Sequence, residues 1–172
     1  AEQYLVSSGT KEIVEGSAIC KEFKEIYGCE FFFDENGEAV WPKRAINFTQ
    51  KTQFIFRVAK GATDANDDDG VNQKTNVLRV PFSNMIYMGD GMTDIASMTL
   101  VKKNGGTSIA VYPEKDIQKV KQIYDDKRCS FVVPSNFSAG SRLEKILQLI
   151  IDKLSLQETI DEREKTLANL YS

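Results

Sequence analysis

Two short stretches carry the residues whose types and spacing could do chemistry. In Gly89-Asp90-Gly91-Met92-Thr93-Asp94 two carboxylates stand four residues apart, with a glycine on either side of Asp90. The stretch follows the apolar run Met85-Ile86-Tyr87-Met88, so a strand is expected to end there and a helix to begin. At such a turn both carboxylates can face the sheet edge. Hard oxygen ligands of that kind suit Mg²⁺, which takes one or two carboxylates and completes its octahedron with water and phosphate. The plainer alternative is a solvated turn with Asp94 in the first helical turn, where negative charge is favourable anyway. The second stretch is Ser7-Ser8-Gly9, after the apolar run Tyr4-Leu5-Val6. Hydroxyls beside a glycine at the mouth of a helix outline an anion site, because a helix N-terminus offers free N–H groups and a favourable dipole. An ordinary helix cap fits the same residues.

Composition narrows the chemistry further. The chain of 172 residues contains no histidine, which excludes Ser-His-Asp and Cys-His nucleophile pairs, His-rich zinc sites and a histidine base. Carboxylates, lysine, hydroxyls, thiols and backbone amides remain. With 22 basic and 25 acidic residues the net charge is -3, so no nucleic-acid footprint is expected. Cys20, Cys29 and Cys129 have neither metal nor disulfide spacing and read as thiols of a reducing compartment. No apolar run approaches the roughly 20 residues of a membrane helix. A soluble, cytoplasmic, single-domain protein spanning residues 1–172 is the expectation.

The elements that must position these residues alternate between β and α patterns. Tyr4-Leu5-Val6 reads as a strand, and Lys11 to Tyr27 as a helix with Ile13, Val14, Ile19, Phe23, Ile26 and Tyr27 on one face and Gly28 as its stop. Phe31-Phe32-Phe33 and Ala39-Val40-Trp41, joined through Asn36-Gly37, predict a hairpin. A helix capped at Thr49 is expected to run to Lys60 and end at Gly61. Residues 61–79, rich in aspartate and poor in apolar residues, read as an exposed insertion loop. After the strand at Met85–Met88 come a helix to about Lys103, a strand at Ser108–Val111, a helix at Asp116–Asp126 and a strand at Ser130–Val133. Capping boxes at Ser141 and Ser155 open the C-terminal helices of residues 141–172, either two helices or one with a bend. The pattern predicts an α/β fold with a parallel sheet, helices on both faces, and a site beyond the C-terminal ends of the strands.

The order of these features, strand-Ser-Ser-Gly-helix, hairpin, Lys51 in the first turn of a helix, then strand-Gly-Asp-Gly-Met-Thr-Asp, resembles the haloacid dehalogenase superfamily, and within it the phosphoserine-phosphatase-like hydrolases. The match spans most of Tyr4 to Val111. It implies a three-layer α/β/α Rossmann-like core with a small β-hairpin after the second core strand. It also implies a Mg²⁺-dependent phosphatase acting on a small phosphorylated substrate. By that resemblance Ser7, with Ser8 as the fallback, binds a phosphoryl oxygen beside Gly9. Lys51 is the phosphate-binding lysine and is catalytic together with Ser7 and Asp94; Asp90 and Asp94 are the metal-site acids, Asp94 supporting the metal site or the lysine. Thr93 stands where many relatives carry asparagine and contacts phosphate or a nearby water. A lysine in an early helical turn is usually just solvated; the order of the motifs is what singles out Lys51. Physically, Mg²⁺, an ammonium and amide or hydroxyl donors converging on a phosphoryl group stabilise its dispersed negative charge.

The superfamily's nucleophile is the first aspartate of an Asp-x-Asp pair on a strand ahead of the serine motif, and no such pair precedes Ser7. Asp34 follows the serine motif at a hairpin and lacks the second aspartate, so it does not substitute. The chain begins at Ala1 and enters an apolar run almost at once, which suggests a cut end. The expectation is therefore a fragment, inactive alone, whose sheet is completed by an upstream segment of the same protein or by another chain. The missing strand would lie between those of Tyr4–Val6 and Met85–Met88. The loop Asp64-Ala65-Asn66-Asp67-Asp68-Asp69-Gly70 echoes a calcium loop, but its glycine comes one place late and Thr75 stands where glutamate is needed. The rival functional reading is a non-catalytic phosphate- or metal-binding module on the same scaffold. A receiver-like doubly wound domain explains the alternation but not Lys51 and Gly-Asp-Gly in that order.

Overall fold

The computed structural model describes residues 1–171, with Lys119 described by its backbone alone; Ser172, the last residue of the expected C-terminal helices, lies outside the described residues. The elements in chain order are β1 (Tyr4–Thr10), α1 (Lys11–Glu15), β2 (Glu25–Phe33), β3 (Ala39–Arg44), α2 (Phe48–Lys60), α3 (Asp68–Asn72), β4 (Ile86–Gly89), α4 (Ile95–Lys103), β5 (Thr107–Tyr112), α5 (Gln118–Asp125), β6 (Phe131–Pro134) and α6 (Arg142–Leu170). The fold is mixed α/β, as the alternation predicts, but the strands form two three-stranded sheets. One has the order β1-β2-β3, with β1 and β2 parallel and β2 and β3 antiparallel; the other, β4-β5-β6, is parallel throughout.

The helix expected over Lys11 to Tyr27 is not formed. The chain makes the single turn of α1, breaks at Gly16, and from Glu25 runs as a strand that pairs Ile26 with Leu5 and Tyr27 with Val6. Ile13 and Ile19, expected on the apolar face of that helix, are 75% and 58% exposed. Tertiary pairing overrode the helical spacing here. Aromatic and β-branched residues from Ile26 to Phe33 favour a strand, and Gly28 sits inside it because a side chain there would meet the backbone of Lys11 at 2.9 Å. The hairpin β2–β3 forms as expected, with Phe32 opposite Trp41, and the Asp34 carboxylate accepts the Asn36 and Glu38 N–H groups at 2.9 Å.

Helix α2 connects the two sheets. Asn47, two residues ahead of the expected cap at Thr49, accepts from the Thr49 and Gln50 amides, while the Gln50 side chain accepts from the Asn47 N–H; Gly61 closes the helix at φ 83°. On one flank Phe54 and Val58 pack with Tyr4, Val6 and Tyr27, the Phe54 and Tyr27 rings stacked at 4.5 Å. On the other, Ile55 and Ala59 pack with Met85, Tyr87 and Val101. β1 and β4 thus lie against the same helix, yet each is the end strand of its own sheet and they do not pair with each other. Arg79, ahead of β4, donates to the Tyr4 hydroxyl at 3.3 Å and to Glu2, tying the start of β1 to the approach to β4.

Residues 61–79 are more ordered than an exposed loop. Arg57, 1% exposed, donates to the carbonyls of Asp64 and Asp67 and to the Asp68 carboxylate, Asp67 caps α3, and Val71 is buried. A buried guanidinium needs such partners, so it fixes the path of the aspartate-rich segment. Along β5, Ala110 and Tyr112 face Met98, Val120 and Ile123, while Ile109 and Val111 face Val133, Leu143 and Ile150 of β6 and α6, so helices cover both faces of this strand. α6 is one unbroken helix capped by Ser141; Ser155 lies within it and opens no second helix.

Candidate functional site

The turn after β4 brings its two carboxylates to different environments. Asp90 is exposed on the turn, whereas Asp94, in the 3-10 turn of Met92–Asp94 that leads into α4, is 3% exposed. The Asp94 side chain folds back over Gly89, where a Cβ would lie 2.5 Å from its Cβ and Cγ atoms. Only glycine allows that approach. The Asp90 amide donates to Asp94 Oδ2 at 3.2 Å.

Opposite this turn, the first turn of α2 delivers Lys51. Its ammonium donates to Asp94 Oδ1 at 2.8 Å, in a pair buried on both sides and formed by residues 43 positions apart. The same oxygen accepts the Tyr87 hydroxyl at 2.7 Å. Burial, then the neighbouring Asp94 charge, pushes the Tyr87 hydroxyl far above its ordinary range, so it remains a donor. Asp94 is thus bonded through both oxygens to an ammonium, a phenol and an amide. The Asp94 carboxylate therefore stands against the Lys51 ammonium with both of its oxygens hydrogen-bonded.

Ser7, Ser8 and Gly9 do not end the strand. β1 continues to Thr10, and its register against β2 slips here: Val6 is paired with Tyr27 but Thr10 with Cys29, so four steps on β1 match two on β2. The motif is a bulge, partly held by a Cys29 Sγ contact to the Ser8 carbonyl at 3.3 Å. Ser7 Oγ accepts the Gly9 N–H at 3.0 Å, and Ser8 and Gly9 are exposed. The helix that follows, α1, has five residues, and Thr10 at its start makes no side-chain capping hydrogen bond. Ser7 and Lys51 stand on neighbouring elements, β1 and α2, and no hydrogen bond joins them among the described residues.

Next to this bulge is a cluster that sequence reasoning missed. Glu30 of β2, buried, pairs with Lys43 at 2.9 Å, Arg44 at 2.5 Å and Lys11 at 3.4 Å. Burial alone would raise its carboxyl; the Lys43 bond and the Arg44 and Lys11 charges outweigh it and hold the group below its ordinary range. Lys11, which directly follows the serine bulge, is thereby fixed to the base of the hairpin. Tyr87 was also missed, although a tyrosine within an apolar strand signals a hydroxyl in need of a partner.

The residues present do not make a complete Mg²⁺ site. Among the described residues no three His, Cys, Asp or Glu side chains are grouped so as to hold a metal ion; in the segment 64–70 Asp67 caps α3, the Asp68 carboxylate pairs with Arg57 and the Asp64 carboxylate accepts the Asn66 N–H. Asp90 is the carboxylate of the Gly-Asp-Gly turn that reaches the surface. The three cysteines are free thiols, and no described helix is long and apolar enough to cross a membrane.

A comparison with curated proteins finds similarity to an uncharacterized protein of Borreliella burgdorferi (strain ATCC 35210 / DSM 4680 / CIP 102532 / B31), 25% identical over 170 residues that cover 89% of this chain and 57% of the relative. The chain thus spans a little over half the length of the curated relative it matches. No family model matches the chain. No solved structure matches it.

Proposed function

We propose that this chain is the phosphate-handling part of a Mg²⁺-dependent phosphomonoester hydrolase of the haloacid dehalogenase type, inactive without an aspartate nucleophile supplied by a further strand. The observation that carries the reading is the buried contact of Lys51 with Asp94, beside the exposed carboxylate of Asp90 on the Gly-Asp-Gly turn. A lysine buried against a single carboxylate costs desolvation, a cost that function explains better than stability does. In this reading Lys51 neutralises phosphoryl charge and Ser7, Ser8 and the Gly9 amide donate to phosphoryl oxygens. Asp90 is the chain's Mg²⁺ ligand, with phosphate, water and the added strand supplying the others. Bound Mg²⁺ would polarise the phosphoryl group.

The same reading assigns the open sides of β1 and β4 to that strand, contributed by another segment of the same protein or by another chain. Pairing with both would join the two sheets into the three-layer core of the family. It would also satisfy backbone groups that end strands leave open. The substrate is a small phosphomonoester and the compartment a reducing one such as the cytoplasm, in keeping with the free thiols. The test is hydrolysis of a generic aryl phosphate by the full-length protein, with and without Mg²⁺. Turnover that requires Mg²⁺ and drops at least a hundredfold in Asp90→Asn and Lys51→Ala is expected. Wild-type turnover in both variants refutes the assignment, and phosphate binding without turnover makes the domain a binder.

A further inference from the structure

We infer that Tyr87 is a positioning residue that sets the place of the Lys51 ammonium through Asp94; this rests on the phosphatase reading only where turnover is measured. Its phenol and the Lys51 ammonium converge on one oxygen, Asp94 Oδ1, at 2.7 and 2.8 Å, while the Asp90 amide holds Oδ2 at 3.2 Å. Three donors shared between its two oxygens hold the carboxylate in place. The phenol is a rigid donor, because its ring packs against two core clusters, one containing Met98, Ala110 and Val120 and the other Ile55, Ala59 and Val101. Lys51, by contrast, reaches the carboxylate at the end of a four-carbon stem with several rotatable bonds. Without the phenol, Oδ1 has one partner, the carboxylate can rotate toward the ammonium, and the Asp90 amide loses its aligned acceptor. The positions of Lys51 and of the Asp90 turn are therefore linked through one oxygen pair, with Tyr87 as the fixed point.

The experiment uses the full-length protein with ¹⁵N-labelled lysine. A buried, bonded ammonium exchanges its protons slowly and gives an observable Nζ signal, which Lys51→Ala assigns. In Tyr87→Phe, which keeps the ring packing, the Lys51 signal is expected to broaden or vanish while the denaturation midpoint changes little. If the protein hydrolyses the aryl phosphate, kcat should fall about tenfold or more with KM nearly unchanged. In the Asp94→Asn background Tyr87→Phe should then have no further effect on kcat. An unaltered Lys51 signal in Tyr87→Phe overturns the inference, as does a kcat loss of the same factor in both backgrounds, the mark of a merely structural residue. A changed Lys51 signal in a protein that hydrolyses no phosphomonoester sinks the proposed function and leaves the positioning role standing.

Discussion

At the residue scale the decisive group is the Asp94 carboxylate, because the Lys51 ammonium, the Tyr87 phenol and the Asp90 amide all donate to it. Removing its cation leaves a buried charge with only a phenol and an amide for partners. Lys51→Met is therefore expected to destabilise the fold by about 3–5 kcal/mol, read as a shift in the urea midpoint, and Lys51→Met/Asp94→Leu to recover much of that loss. Gly89→Ala puts a methyl where the Asp94 side chain lies. A cost of about 1–3 kcal/mol is expected in the same assay, with the Lys51 contact disturbed. The Glu30 cluster gives a pH dependence. Its carboxyl is held below the ordinary 4.5, so its contribution to stability is present above that value and is lost as pH falls through the lower, folded-state value. Glu30→Gln is expected to flatten the acid limb of stability against pH below about 4.5; an unchanged acid limb would remove the cluster from the account.

At the element scale, what the sequence made legible depended on whether the signal was local. Gly61, the Asn36-Gly37 turn and Ser141 acted where local rules put them, since a left-handed turn or a cap is decided within four or five residues. The stretch from Lys11 to Tyr27 misled because its apolar spacing also serves a strand at its end, and pairing with Leu5 and Val6 is a contact between residues about 21 apart. Arg57 and Glu30 were invisible for the same reason: their partners come from other elements. Ser7, Lys51, Asp90 and Asp94 could be named from motif order, but only the packing of α2 against α4 and the 3-10 turn after β4 brings Lys51 to Asp94. α6 makes a further element-scale test. Leu143 and Ile150 are buried, while Ile160 and Leu167 are exposed. Leu143→Ala should cost about 2–5 kcal/mol and Ile160→Ser no more than about 0.5 kcal/mol.

At the scale of the whole molecule, two three-stranded sheets share one helix and do not pair, and the proposed site residues lie on both sides of that division: Ser7 on β1, Lys51 on α2, Asp90 and Asp94 after β4. The account holds that a strand between them supplies the nucleophile. The most direct measurement is phosphate release from an aryl phosphate in Mg²⁺ by this 172-residue chain alone and by the full-length protein, at equal concentration. The account expects turnover from the full-length protein and none from the chain alone. Turnover by the 172-residue chain at the full-length rate would contradict it.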